Sequence, residues 1–191
     1  MKNKFLIILS VAFGVAVVCC SFNQPQNQPK VIFVDDALIK KGEYLVGIMG
    51  CADCHSPKKM GSHGPEPDMA RHLSGYPASE PISKIDKLAL QSWVLFNMSN
   101  TATVGPWGIS FAANLSSDET GIGNWSFEQF KVAMTQGKSK GIVSNRPLLP
   151  PMPWPNYINM KDEDLKAVFA YLKSTKPVKN LVPMPITPDK L

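Results

Sequence analysis

The pattern of apolar and polar positions divides the chain into an apolar leader, a polar linker and a folded remainder. Phe5 to Val18 is an apolar, uncharged stretch of about 14 residues behind the short basic stretch Met1 to Lys4. That is too short to cross a hydrocarbon layer of ~30 Å as a stable helix, and it reads as the hydrophobic region of an export signal. Residues 21–30 offer almost nothing to bury and read as a polar, proline-stiffened tether. Over residues 36–50, Leu38, Leu45 and Ile48 recur near helical spacing with Lys40, Lys41 and Glu43 between them, predicting a helix. Gly42 and Gly47 weaken it, unless a glycine there admits a second helix at close range. Residues 57–84 read as loop, and residues 88–96 as a short strand, since Trp93, Val94 and Phe96 favour one.

Two further helices are better marked. Ser126 and Gln129 fit a capping box, Trp125 and Phe130 a hydrophobic staple around it, and Gly137 stands where that helix should end. Residues 162–174 form the strongest helix. Acids crowd its start, Lys173 lies near its end, and Leu165, Val168, Phe169 and Leu172 make one apolar stripe. No internal repeat is visible. The expected organisation is a signal over residues 1–19, a tether over 20–34 and one folded domain over 35–191.

Composition changes this picture in two ways. The 17 prolines cluster at 24–29, 65–81, 147–155 and 177–188, so much of the chain should be extended or turning. The formal charge of +5 falls by two when Lys2 and Lys4 leave with the leader. No basic stripe then remains to argue for nucleic acid.

Only four cysteines occur, at positions 19, 20, 51 and 54. Cys19 and Cys20 end the apolar run in Val17-Val18-Cys19-Cys20-Ser21, which resembles a lipoprotein signal cut before a cysteine that takes lipid. Cys20 is the expected attachment point. This leaves the pair at 51 and 54 for the folded domain, which excludes a disulfide framework and a four-thiolate zinc site within the chain.

That pair lies in Cys51-Ala52-Asp53-Cys54-His55, the attachment pattern of a haem c. Two thiols three positions apart can each add to one vinyl group of a porphyrin, and the following histidine is held under the iron. A thioredoxin-like dithiol wants a βαβ setting, which does not precede the motif. A zinc site needs further ligands, for which His63 and His72 are candidates. An export signal favours haem c, whose attachment is extracytoplasmic.

A second axial ligand suits an electron carrier. Met152 stands in Leu148-Leu149-Pro150-Pro151-Met152-Pro153-Trp154-Pro155, where prolines stiffen the loop that would present its thioether. Met160 is the runner-up, Met134 reads as core, and His63 or His72 would give a bis-histidine iron. The two arginines, Arg71 and Arg146, are candidates for pairing with a haem propionate.

These residues resemble the class I cytochrome c domains of the cytochrome subunits of membrane-bound alcohol, gluconate and fructose dehydrogenases. Four segments carry the likeness: Lys41-Gly42-Glu43-Tyr44-Leu45 leading to Gly50-Cys51-Ala52-Asp53-Cys54-His55; Asn114-Leu115 through Thr120-Gly121-Ile122-Gly123-Asn124-Trp125; Pro150-Pro151-Met152-Pro153-Trp154; and Asp162-Glu163-Asp164-Leu165 with Ala170-Tyr171-Leu172. Those subunits usually carry three such domains, against one here. The resemblance implies an all-α, class I cytochrome c fold around one covalent haem, with a long irregular insertion, open to short strands, between the haem motif and the methionine loop. It implies His55 and Met152 as axial ligands and a crossing of the helices at 36–50 and 162–174. The expected function is a mono-haem carrier of single electrons between extracytoplasmic redox proteins such as a dehydrogenase and an oxidase or another cytochrome. It would not be an enzyme and would take neither nucleic acid nor a small-molecule substrate. It would be held by lipid at the periplasmic face of a bacterial membrane, or else be soluble in the periplasm. A haem enzyme or gas sensor with a labile sixth ligand is the rival reading.

Overall fold

Asp35 opens the first helix by accepting a hydrogen bond from the Ala37 amide at 3.0 Å, with Asp36 in the first turn facing the positive end of the helix dipole. A computed structural model describes residues 35–82 and 84–191. Helix α1 runs Asp36–Ile48 and helix α2 Cys51–His55, separated by the turn at Met49 and Gly50. Helix α3 spans Phe127–Gln136 and helix α4 Asp162–Ser174. No helix among the described residues is long and apolar enough to cross a membrane.

The three longer helices follow the amphipathic pattern. Ser126 and Gln129 exchange the two bonds of a capping box, at 3.2 Å and 3.0 Å, and Gly137 ends α3 in the left-handed region at φ +61°. In α4, Leu165, Val168 and Leu172 are buried, while Phe169 lies at the margin of the core with its ring 5.3 Å from that of Phe130. These residues join Val46 of α1, Leu73, Ile122 and Met134 in one apolar cluster.

Helices α1 and α4 cross at Gly42. A Cβ there would overlap the Ala167 carbonyl oxygen and crowd the Tyr171 Cβ. Glycine therefore lets the two backbones touch, and Lys41 pairs with Asp164 at 2.6 Å beside the crossing.

The all-α expectation fails in the segment between α2 and α3. Strands β1 (Lys58–Gly61) and β2 (Gly64–Pro67) form an antiparallel hairpin. Strands β3 (Leu95–Phe96), β4 (Ala102–Gly105) and β5 (Gly108–Phe111) form a three-stranded antiparallel sheet. The domain is thus mixed, with helices and two small sheets. The cause is local. Thr103 and Val104 face Ser110 and Ile109 across the β4–β5 pair, and β-branched residues suit such a pleated surface. Gly108 makes the turn at φ +93°, where a Cβ would collide with the Ile186 carbonyl. Ile186 also exchanges backbone hydrogen bonds with Ile109, at 2.8 Å and 3.0 Å, so the C-terminal segment lies along this sheet.

Residues 88–96 are less regular than a strand. Ala89–Gln91 is a 3-10 turn, only Leu95–Phe96 pairs, and Leu88, Trp93, Val94 and Phe96 are exposed. Strand propensity reports burial as much as backbone preference, and this stretch has little to pack against.

The crossing yields an opposed pair of outcomes. Gly42→Ala should lower the unfolding free energy by about 1–3 kcal/mol, because the overlap with backbone outweighs the helix propensity gained. Gly47→Ala lies in the same helix, where an added Cβ would meet nothing within 4 Å. It should raise the unfolding free energy by roughly 0.5–1 kcal/mol. Urea denaturation of both variants measures the difference, and equal signs would refute the crossing at Gly42.

Candidate haem site

The chain enters the site through Gly50, in the left-handed region at φ +65°. A side chain there would be strained and would press on the Asp53 carboxylate. The turn delivers α2, whose five residues are the motif itself. Cys51 and Cys54, three positions apart, stand one above the other on one helix face. Both are partly buried and unpaired. Cys51 and Ala52 pack against the apolar cluster.

Lys58 closes the C-terminal end of this short helix. Its ammonium donates to the carbonyls of Ala52, Asp53 and Ser56 at 3.2, 2.9 and 2.9 Å, where unsatisfied carbonyls gather.

His55 is oriented by one bond. Its Nδ1 lies 2.7 Å from the Ala113 carbonyl oxygen. A carbonyl only accepts, so Nδ1 carries the hydrogen and the Nε2 lone pair is left for a metal. Burial lowers the His55 pKa, against the opposing effect of the bond to Ala113. The imidazole is therefore neutral at neutral pH, as ligation requires.

The surroundings of the thiols do not favour a redox dithiol. Burial pushes the Cys51 thiol up to about 11, and burial with the Asp53 charge raises Cys54. Reactive dithiols are tuned the opposite way. Nor do zinc ligands converge: among the described residues no three His, Cys, Asp or Glu side chains form a metal cluster. His63 is exposed in the turn between β1 and β2. His72 has its Nδ1 3.3 Å from the Ser56 hydroxyl, which in turn accepts from the Leu73 amide at 2.9 Å.

The proline-rich loop is anchored at three points. The Leu148 amide donates to the Gly137 carbonyl at 2.6 Å, the Ser110 hydroxyl donates to the Pro150 carbonyl at 2.6 Å, and the Trp154 ring covers Gly137 where a Cβ would otherwise sit. Met152 is partly buried against the apolar cluster, as are Met160 and Tyr157 farther on. Tyr157 has its pKa raised by burial first and then by the Cys51 charge. Tyr157 and Cys51 pack against the same apolar cluster.

Burial narrows the choice of thioether. Met60, Met69, Met98 and Met184 are exposed, and Met134 is buried in α3. That leaves Met49, next to the motif, with Met152 and Met160. Two thiols on one helical turn, an imidazole with a free Nε2 and a thioether loop alongside form a donor set that fits a haem c.

Of the arginines, Arg71 is engaged by Asp68 at 2.8 Å, which draws the Asp68 pKa down. Arg146 donates to the Pro147 carbonyl at 2.8 Å and forms no ion pair among the described residues. Cys20, the signal over residues 1–19 and the tether over 20–34 lie outside the described residues. Ala113, Ser56 and Lys58 were not singled out by the sequence. Two act through a backbone carbonyl or a helix end, where residue type carries little signal.

No family model matches the chain. Its curated relatives are informative. The cytochrome c subunit of gluconate 2-dehydrogenase from Pantoea cypripedii is 32% identical over 138 residues, which is 72% of this chain and 23% of that protein. The cytochrome c subunit of the quinone alcohol dehydrogenase from Gluconobacter oxydans is 26% identical over 170 residues, 88% of this chain and 27% of that one. The fructose dehydrogenase cytochrome subunit of Gluconobacter japonicus is 28% identical over 142 residues, 73% of this chain and 22% of that one. The chain spans about a quarter of the length of these relatives. At modest identity, but over most of its own length, it is a homologue of the cytochrome c subunits of gluconate, alcohol and fructose dehydrogenases.

Proposed function

We propose that the chain is a mono-haem c-type cytochrome that passes single electrons between extracytoplasmic redox proteins, one of them a dehydrogenase. Cys51 and Cys54 hold the haem, and His55 and Met152 hold the iron. The observation that carries this reading is the His55 imidazole, turned by the Ala113 carbonyl so that Nε2 is free, directly after two thiols on one helix face. Haem c, when bound, supplies a one-electron couple.

The chain's own residues do the rest. Two covalent links and one fixed imidazole hold orientation, so little moves when charge changes. Met152 sits in a loop tied to Gly137 and Ser110, which limits ligand rearrangement. A thioether ligand such as Met152 would favour the reduced iron and raise the potential. With His55 and Met152 both holding the iron, no position would remain for a substrate, and the chain would be a carrier rather than an enzyme. Lipid on Cys20, followed by the tether, holds the domain at the periplasmic face of a bacterial membrane.

Three measurements test this. The double variant Cys51→Ala, Cys54→Ala should lose its haem to acid–acetone extraction, and retention of haem would refute covalent attachment. Met152→Ala should abolish the methionine–iron absorption band, lower the midpoint potential and let carbon monoxide bind the reduced form, while Met160→Ala does none of these. The reverse result would move the ligand to Met160 and leave the haem assignment standing. Cys20→Ala should shift the protein from membranes to the soluble fraction, and unchanged partition would exclude a lipid anchor at that residue.

A further inference from the structure

We propose that Asn180, near the C-terminus and far from the haem motif in sequence, is the positioning residue for His55. The proposal rests on His55 being the iron ligand.

The bond from His55 to Ala113 is only as firm as the backbone around it. Segment 73–76 lies between the two partners. Its Gly75 amide donates to the carbonyl of His55 itself at 2.7 Å. Along its other edge it pairs with 112–115: the Tyr76 amide donates to the Ala112 carbonyl at 2.9 Å, and the Leu115 amide to the Leu73 carbonyl at 2.8 Å. Segment 73–76 thus sets both the histidine's backbone and the carbonyl that its ring addresses.

This segment is held in an unfavourable shape. Leu73, fully buried, sits at φ +59°, where a γ-branched side chain is rarely found. Gly75 sits at φ +75°, and a Cβ there would overlap the Ala112 carbonyl. Such a conformation persists only where surrounding groups over-determine it.

Asn180 supplies that constraint. Its side-chain NH2 donates to the Ser74 carbonyl at 2.7 Å and the Tyr76 carbonyl at 2.8 Å, straddling Gly75. Its Oδ1 accepts from the Ala78 amide at 2.9 Å. Its backbone completes the connection. The Asn180 amide donates to the Thr120 hydroxyl at 2.9 Å, and its carbonyl accepts from the buried Asn114 side chain at 3.3 Å. Asn114 directly follows Ala113, whose carbonyl is the acceptor for His55. The side chain and the backbone of one residue therefore clamp both sides of the bond that orients the imidazole.

A firm Nδ1–H bond makes an imidazole a more basic ligand and favours Fe(III). Loosening the clamp should weaken it and favour Fe(II). The test uses the full haem-loaded protein, with redox titration and the solvent exchange rate of the His55 Nδ1–H by NMR. In Asn180→Ala the Fe(III)/Fe(II) equilibrium should move about threefold toward Fe(II), a rise of about 28 mV at 59 mV per tenfold for one electron. The Nδ1–H should exchange at least about tenfold faster. Thr120→Val, which removes the hydroxyl that accepts from the Asn180 amide and from the Asn114 side chain and donates to Asp118, should move both readings the same way and serves if Asn180→Ala does not fold. Lys179→Ala, an exposed neighbour, should move neither. Lower thermal stability in Asn180→Ala or Thr120→Val with unchanged potential and exchange would reduce Asn180 to a structural residue and overturn the proposal. A wild-type protein whose His55 shows no haem-shifted ring resonance would overturn the ligand reading itself.

Discussion

The bond from His55 Nδ1 to the Ala113 carbonyl decides which nitrogen of the ring is available, and the rest of the domain can be understood as the means of holding its two ends still. His55 closes a five-residue helix that follows a left-handed glycine. Ala113 follows a β-strand and precedes the buried Asn114. Neither end lies in a long regular element, so the geometry has to come from tertiary contacts. Segment 73–76 supplies them by bonding to both ends at once. A buried polar network of this kind favours one arrangement strongly, because each partner left unpaired in a dry setting is costly. Among the described residues, no buried side-chain nitrogen or oxygen lacks a hydrogen-bond partner.

Behind this polar layer stands the apolar frame of α1, α3 and α4. The crossing at Gly42 brings α1 against α4, and α2 follows α1 after one tight turn. The position of the two thiols is thereby tied to the helix pair. The methionine loop is tied to the same frame from the other direction, since Trp154 rests on the glycine that ends α3. Cys51 on one route and Met152 and Tyr157 on the other pack against the same apolar cluster. Cys51 and Met152 are far apart in the sequence but lean on one core.

The helices were legible because their signals are local: acids at a start, a capping box, an apolar stripe. Asp162–Ser174 and the capped start at Ser126 follow the sequence closely. Residues 51–55 also stand out in the sequence, since covalent attachment of a haem would need those types at that spacing. The sheets were not. Strands of two to four residues with glycines at their ends give no measurable alternation, and the pairing of Ile109 with Ile186 is invisible to any window along the chain. The groups that orient His55 were hidden for a related reason. A backbone carbonyl can belong to any residue, and an asparagine far along a proline-rich tail reads as an ordinary turn residue until the fold brings it beside Ser74 and Tyr76.

The spread of these parts along the chain has a consequence in time. Residues 51–55 emerge early, the carbonyl they need comes at 113, and the clamp arrives only at 180. Bringing such distant pieces together means closing long loops, which is slow compared with forming a helix. Until the last segment docks, Cys51 and Cys54 belong to an open chain and are reachable. Afterwards they are partly enclosed and their burial holds them protonated. The order of the chain therefore bears on access to these sulfurs: the motif is complete at His55, whereas the side chain that fixes its surroundings follows only at Asn180.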